Sequence, residues 1–237
     1  MVSVCIATYN GEKYIQEQLE SILTQLSDDD EIIISDDSST DSTISIIEKL
    51  QDKRITISKN NTFKSPIYNI ENALKQARGE YIFLADQDDV WLNDKVKRCL
   101  PYLKEKKIVM SDAVLVDANL KVLSESLDSW RIYREGFLQN LYKGRYLGCC
   151  MAFHRDIMKL ILPFPKKLPA HDVWIGLLGE LNKRIIYLPL PLILYRRHGE
   201  NLSSASTDSK NNILYMISYR FKLLCLTLSR TIKFKLS

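Results

Sequence analysis

An α/β fold with a mostly parallel central sheet follows from three features of this sequence. Short apolar runs alternate with helical periods over the first 110 residues, the connections between them are short, and clusters of polar residues fall at the carboxyl ends of the runs. Alternation of that kind implies a parallel sheet covered on both faces by helices. In such sheets ligands bind beyond the carboxyl ends of the strands.

The elements read in order as follows. Val2 to Ala7 is a buried strand, and Ile15, Leu19, Ile22, Leu23 and Leu26 then recur at helical spacing. Ile32 to Ile34 is a strand, and the "DDSSTDST" after it is rich in side chains that cap helices, with Ile44, Ile47 and Leu50 forming the helix face. Arg54 to Ser58 is a strand; Ile67, Ile70, Leu74 and Ala77 mark a helix that stops at Gly79. Tyr81 to Ala85 is the next strand, Asn93 caps a helix running to about Lys106, and Ile108 to Met110 is a further strand. In the second half, Leu147 to Phe153 reads as a strand and "HDVWIGLLGEL" as a helix. Arg184 to Leu188 and Leu192 to Arg196 read as two strands separated by "PLP". With no internal repeat and no low-complexity linker, residues 1–205 are expected to form one domain.

The tail, residues 206–237, is of another character. From Ser209 onward it carries Lys210, Arg220, Lys222, Arg230, Lys233 and Lys235, interleaved with apolar residues and with no acid. A basic amphipathic helix of this kind suits an anionic membrane surface. The alternative is a terminal helix packed on the domain or on a second subunit, which would make the tail a homodimer interface.

Composition narrows the class. The chain has 237 residues, 46% hydrophobic and 26% charged, enough for a large core. A net charge of +4 gives no cause to expect nucleic acid as a partner. Five cysteines without a CxxC spacing suit reduced thiols in a cytoplasm. The N-terminus reads as a strand, not a signal peptide, and no run of about 18 apolar residues predicts a membrane span.

The stretch "FLADQDDVW" sets three carboxylates, Asp86, Asp88 and Asp89, at the end of an apolar strand. Crowded like charges repel, and each costs free energy when partly desolvated. A hard divalent cation makes the crowding favourable: Mg²⁺ usually takes one or two carboxylates and completes its shell with phosphate oxygens. The alternative is a solvated acidic turn that caps the following helix. Neither a GxGxxG nor a GxxxxGK[ST] loop is present, so a nucleotide would be held through its base, ribose and a phosphate-bound metal. In "ATYNGE", Thr8 and Asn10 can hydrogen-bond and Tyr9 can stack on a base; in "SDDSSTDS", Asp37 can accept a base N–H. Arg196 and Arg197 suit either phosphate contacts or plain surface charge, and Gly148 would admit a substrate close to the backbone.

Five segments, "VSVCIATYNGEKYIQEQLESIL", "IIISDDSSTDST", "ARGEYIFLADQDDVWLNDKV", "HDVWIG" and "PLILYRRHGEN", together resemble the family 2 glycosyltransferases, in order over nearly all of residues 2–202. The last two look most like the rhamnosyltransferase-type members that build bacterial surface polysaccharides. The resemblance implies a GT-A fold, a nucleotide-diphosphate sugar donor, Mn²⁺ or Mg²⁺, and inversion at the anomeric carbon. It divides the domain into a nucleotide-binding half, about 1–110, and an acceptor-binding half, 111–205. By motif, Thr8, Tyr9, Asn10, Glu12, Asp36 and Asp37 would line the nucleotide pocket, with Asp86, Gln87 and Asp89 also on the donor. Asp88 would hold the metal with His198, and Asp172 would be the general base, supported by His171. The implied acceptor is a lipid-linked saccharide, met by a peripheral protein at the cytoplasmic face of the membrane.

A positioned carboxylate is the group an acceptor hydroxyl needs, since it must lose its proton in the transition state. At a helix start the dipole helps keep Asp172 ionised. The other enzyme class open to such a motif is a phosphotransferase or phosphatase with a DxD aspartate as nucleophile, but it would need the motif on the first strand. A non-catalytic nucleotide-sugar-binding protein is the third.

Overall fold

The computed structural model of the chain describes residues 1–127, 134–166, 168, 170–198 and 213–236. Its first strand, β1 (Val2–Thr8), is buried almost throughout, as a central strand rich in β-branched and apolar residues should be. The elements that follow are α1 (Ile15–Leu23), β2 (Glu31–Asp36), α2 (Thr43–Lys49), β3 (Ile55–Ser58), α3 (Pro66–Gln76) and β4 (Tyr81–Ala85). Then come β5 (Val90–Trp91), α4 (Lys95–Lys104), β6 (Ile108–Asp117) and β7 (Val122–Ser124). The chain continues through α5 (Phe137–Tyr142), a 3₁₀ turn (Gly148–Cys150), β8 (Met151–His154), α6 (Asp156–Ile161), α7 (His171–Leu181), β9 (Ile185–Arg197) and α8 (Ile213–Leu236).

One sheet holds all the described strands, in the order β3-β2-β1-β4-β8-β6-β9-β5, with β7 beside β6. β1, β2, β3, β4, β6 and β9 share a direction, while β8, β5 and β7 run against it. The mostly parallel sheet expected from the alternation is therefore present. In register, Thr8 lies opposite Asp36 and Ile6 opposite Ala85, so the loops after β1, β2 and β4 leave the sheet side by side.

The second half departs from its sequence reading in three places. The strand expected at Ile108–Met110 runs on to Asp117, because β9 lies parallel beside it along that length. Leu147–Phe153 is divided between the 3₁₀ turn and β8. "PLP" does not interrupt the last strand: β9 is continuous, and the prolines, which lack the N–H of an ordinary residue, fall where its register with β6 shifts around Asp112. In the first half, the residue before α4 is Asp94 in a left-handed conformation (φ 67°), so Asn93 is not the cap.

The tail forms the helix expected of it. Leu223, Thr227 and Thr231 are buried, and the helix packs on α7, α6 and α5. Arg230 also turns inward, donating to the carbonyls of Leu162 (2.6 Å) and Pro163 (2.6 Å) beside the Trp174 ring. One face is thus committed to the domain. The boundary expected at 205–206 and residues 206–212, with Lys210, lie outside the described residues.

Candidate active site

The turn after β4 is held from three sides. Gln18, buried on α1, donates from its side-chain amide to the Asp86 carbonyl at 2.6 Å. One helical turn on, Ser21 Oγ accepts the Trp91 N–H at 3.0 Å, and Gln25 donates to the Leu92 carbonyl at 3.0 Å. From the other side comes β9. Val90 and Trp91 pair antiparallel with Leu194 and Ile193, a register that carries Asp88 and Asp89 alongside Arg196. The Arg196 N–H donates to Asp89 Oδ1 (2.9 Å), and its guanidinium donates to the carbonyls of Asp88 (2.7 Å) and Ala118 (2.8 Å) and pairs with Glu17. Arg196 is buried over the Tyr14 ring. It is therefore a clamp on the acidic turn, neither a phosphate ligand nor surface charge. From the β1 loop, Gln87 exchanges two hydrogen bonds with the Tyr9 backbone, at 2.9 and 3.1 Å.

So fixed, the carboxylates converge. Oxygens of Asp86 and Asp89 lie within 4.8 Å of each other and of the Cys149 sulfur. Asp88 Oδ2 meets His198 Nε2 at 2.8 Å, and the His198 ring packs 4.8 Å from that of Tyr14. Burial, then the neighbouring Asp88 and Asp86 charges, hold the Asp89 carboxyl well above the ordinary carboxylate range. Asp86 is accessible to solvent, yet protein crowds it on most sides. That desolvation comes first, then the charges of Asp88 and Asp172, and together they raise its pKa to about 7. The cause matters as much as the value, since it brings the start of α7 into the same electrostatic cluster as the end of β4. Asp172 lies in the first turn of α7, with its Oδ1 accepting the Val173 N–H at 2.7 Å.

Whether these residues suit a divalent cation turns on Asp89. Its Oδ2 is buried and has no hydrogen-bond partner among the described residues, an arrangement that costs about 1–3 kcal/mol unless something else satisfies it. A cation shared with an Asp86 oxygen, which lies within 4.8 Å of Asp89, would do so, while Asp88 and His198 meet each other outside that group. Cys149 is a poor ligand here: its hydrogen bond with Cys150, followed by burial, pushes the thiol pKa up and keeps the proton on sulfur. The remaining donors, carboxylate oxygens with the Asp88–His198 pair on the same turn, are of the kind that suits Mg²⁺ or Mn²⁺. Below them Lys95 is fully buried, donating to the Cys149 carbonyl at 2.8 Å over the Trp91 ring.

The residues expected to meet nucleotide divide into those whose side chains tie the loops together and those that stand free of them. Asp36 is buried, accepting from Thr8 Oγ1 (2.8 Å), the Ser39 N–H (2.8 Å) and Ser39 Oγ (2.5 Å). Asn10, at φ 49°, accepts the Thr40 N–H, and Glu12 accepts the Ser42 N–H just before α2. Asp37 accepts the Phe63 and Ser65 N–H groups. These residues join the β1, β2 and β3 loops into one rim. Tyr9, 57% exposed, stands out from it with its ring available for stacking.

Three contributors escaped the sequence reading: Gln18, Lys95 and, as a clamp, Arg196. For Gln18 the signal was there, an amide on the α1 face otherwise made of Ile15, Leu19 and Ile22. Gly148 has a different role from the one expected of it. A Cβ there would sit 2.5 Å from His171 Nε2, so the space is filled by His171, which burial keeps neutral and which packs on Phe164. Gly148→Ala is therefore expected to push the start of α7, and Asp172 with it, out of place. Such overpacking costs about 1–3 kcal/mol. Chemical denaturation would measure it.

Residues 3–162 match the Glycosyl transferase family 2 family. The chain is 41% identical over 111 residues to the Escherichia coli UDP-Glc:alpha-D-GlcNAc-diphosphoundecaprenol beta-1,3-glucosyltransferase WfaP, covering 47% of this chain and 44% of that protein. It is 41% identical over 105 residues to the Shigella flexneri dTDP-rhamnosyl transferase RfbG, covering 41% of this chain and 36% of that one. The chain thus spans less than half the length of these two relatives. Among solved structures, that of Staphylococcus aureus TarS 1–349 in complex with UDP-GlcNAc superposes with a TM-score of 0.68 at 23% identity, over 98% of this chain and 73% of that one.

Proposed function

This chain belongs to glycosyl transferase family 2 and has the GT-A fold, and from that premise we propose that it is a metal-dependent, inverting glycosyltransferase. It moves a sugar, a hexose or rhamnose, from a nucleotide-diphosphate donor to a saccharide acceptor in bacterial surface polysaccharide synthesis. The observation that carries this reading is the orphaned Asp89 oxygen within 4.8 Å of Asp86, with the Asp88–His198 pair on the same turn and Asp172 close enough to raise the pKa of Asp86. A phosphate-bound cation is what that cluster lacks.

Each residue then has a task. Tyr9 stacks on the base, while Thr8, Asn10, Glu12, Asp36 and Asp37 shape the rim that receives base and ribose. Asp88 and His198 hold Mn²⁺ or Mg²⁺, Asp86 and Gln87 are arranged about the diphosphate and sugar, and Asp89 faces the sugar and the cation's water. When bound, the cation supplies Lewis-acid neutralisation of the departing nucleoside diphosphate. Asp172 takes the proton of the acceptor hydroxyl as that oxygen bonds to the anomeric carbon and the bond to the diphosphate oxygen breaks. One base and one displacement give inversion, with residues 1–110 serving the donor and 111–205 the acceptor.

The acceptor is a lipid-linked saccharide, in keeping with the diphosphoundecaprenol in the name of the E. coli relative. The protein meets it as a peripheral partner of the inner face of the cytoplasmic membrane, through the tail.

Thermal unfolding in the presence of nucleotide sugars tests the donor and metal together. A ligand that binds only the native state stabilises it by about 2.7 kcal/mol at a hundredfold excess over Kd, which is about 5–10 °C for a chain of this size. The true donor should raise Tm with Mn²⁺ or Mg²⁺ and leave it unmoved in EDTA. If no UDP- or dTDP-sugar moved Tm with either metal, the proposal would be wrong.

A further inference from the structure

The face of α8 turned away from the domain carries an apolar stripe. Ile217, Phe221, Leu228, Ile232 and Leu236 are all exposed, Phe221 by 65% and Leu236 by 84%, and Cys225 is exposed between them. The steps from 217 through 221, 225, 228, 232 and 236 are of three or four residues, so one side of the helix is apolar from Ile217 to Ile232, with the exposed Lys235 joining Leu236 on it at the end. The opposite side is the one already seated on α5, α6 and α7. At 3.6 residues per turn, Lys222 and Lys233 fall along one border of the stripe and Arg220 along the other. The sequence of α8 contains no aspartate or glutamate.

A second patch lies against the first. On α5, Leu138 is 74% exposed and Tyr142 68% exposed; four residues apart, they share a face of that helix. The Tyr142 ring is covered by the Arg220 guanidinium at 4.4 Å, so the α5 patch runs up to the arginine border of the α8 stripe.

Resting on the proposed membrane-presented acceptor, we infer that α8 and α5 form one composite surface that docks on anionic lipid. The apolar stripe enters the boundary between headgroups and acyl chains, while Lys222, Lys233 and Arg220 reach outward to lipid phosphates. Charge decides between this occupant and a second copy of the chain. Pairing two stripes would set lysines against lysines with no acid on either helix to match them, whereas an anionic surface complements them. Among the described residues no helix is long and apolar enough to cross a membrane, so the contact is one of lying on the surface.

Vesicle flotation of the full chain tests the surface, comparing phosphatidylcholine alone with a mixture containing about one-third phosphatidylglycerol. Binding is expected only to the anionic vesicles and should weaken as salt screens it. The variant Lys222→Gln/Lys233→Gln should lose roughly fivefold in partitioning for each lysine removed. Phe221→Asp/Ile232→Asp should abolish binding, and Leu138→Asp/Tyr142→Asp should weaken it, all three with unchanged Tm because the side chains are exposed. Wild-type protein that stays off anionic vesicles, or stripe variants that float as well as wild type, would overturn the inference. So would a dimer in light scattering that Phe221→Asp/Ile232→Asp dissolves, since the occupant is then a second copy. Full binding by the α5 variant would overturn the composite form. The metal-dependent thermal shift with nucleotide sugar, read on the same variants, should not change, so failure of this surface and failure of the donor proposal are separate results.

Discussion

Asp172→Asn is expected to lower the rate of sugar transfer by about 10²–10⁴-fold, the range a positioned general base supplies, while donor binding stays intact. Asparagine is the informative replacement. It keeps a side-chain oxygen to accept the Val173 N–H, so the start of α7 retains its local hydrogen bond. It is also nearly isosteric with aspartate, so His171 can keep its place against Gly148. What it cannot do is take a proton from the acceptor hydroxyl. Single-turnover transfer should therefore fall steeply, with Tm and the metal-dependent donor shift close to wild type. Loss of Asp172 also removes one of the charges that hold the Asp86 pKa up, so the Asp86 carboxyl should ionise at lower pH. If the variant transferred sugar at the wild-type rate, Asp172 would not be the base. If donor binding vanished together with transfer, its role would be structural.

How much of this could be read beforehand differed between the two halves. The strand-helix alternation to Met110 is carried by local periodicity, and the structure keeps every strand expected there. The acidic turn was equally visible, because three carboxylates after an apolar run have few uses. What holds that turn was not. "YRRHGEN" offers two adjacent arginines, and only the pairing of β5 with β9 decides that Arg196 turns in while Arg197 stays partly exposed. The continuity of β9 was hidden for a related reason: prolines argue against a strand locally, but here β6 beside them shifts register and absorbs the missing donors. In the β1 and β2 loops the residue types expected to touch nucleotide are present, and bonds across the loops turn Asn10 and Glu12 onto the backbone N–H groups of Thr40 and Ser42. Such pairings, about 30 residues apart in sequence, leave no periodic signal.

Replacing Asp89 by asparagine should move stability and function in opposite directions. In the metal-free protein the Asp86 and Asp89 carboxyls are both held above their ordinary range, by burial first and neighbouring carboxylates second. The sign follows from linkage. An unfolded chain releases these protons near pH 4, while the folded one keeps them until about 7 in the case of Asp86. The stability these groups contribute is complete below pH 4 and is lost as pH rises toward 7. The substituted asparagine keeps an oxygen for the Arg196 N–H, removes one of the crowded charges and replaces the orphaned oxygen with a donor beside Asp86. Without metal, then, Asp89→Asn should melt higher than wild type at pH 7.5, by about 2–4 °C for each kcal/mol relieved, and the gap should narrow toward pH 4. Adding Mn²⁺ should reverse the order: wild type gains stability and the variant gains little, because the carboxylate that makes the cation welcome is gone. Transfer should fall with the metal response. A variant that melted no higher than wild type in EDTA at pH 7.5, yet responded fully to Mn²⁺, would mean that the buried oxygen of Asp89 is satisfied without a cation. The crowding beyond β4 would then have no connection with metal.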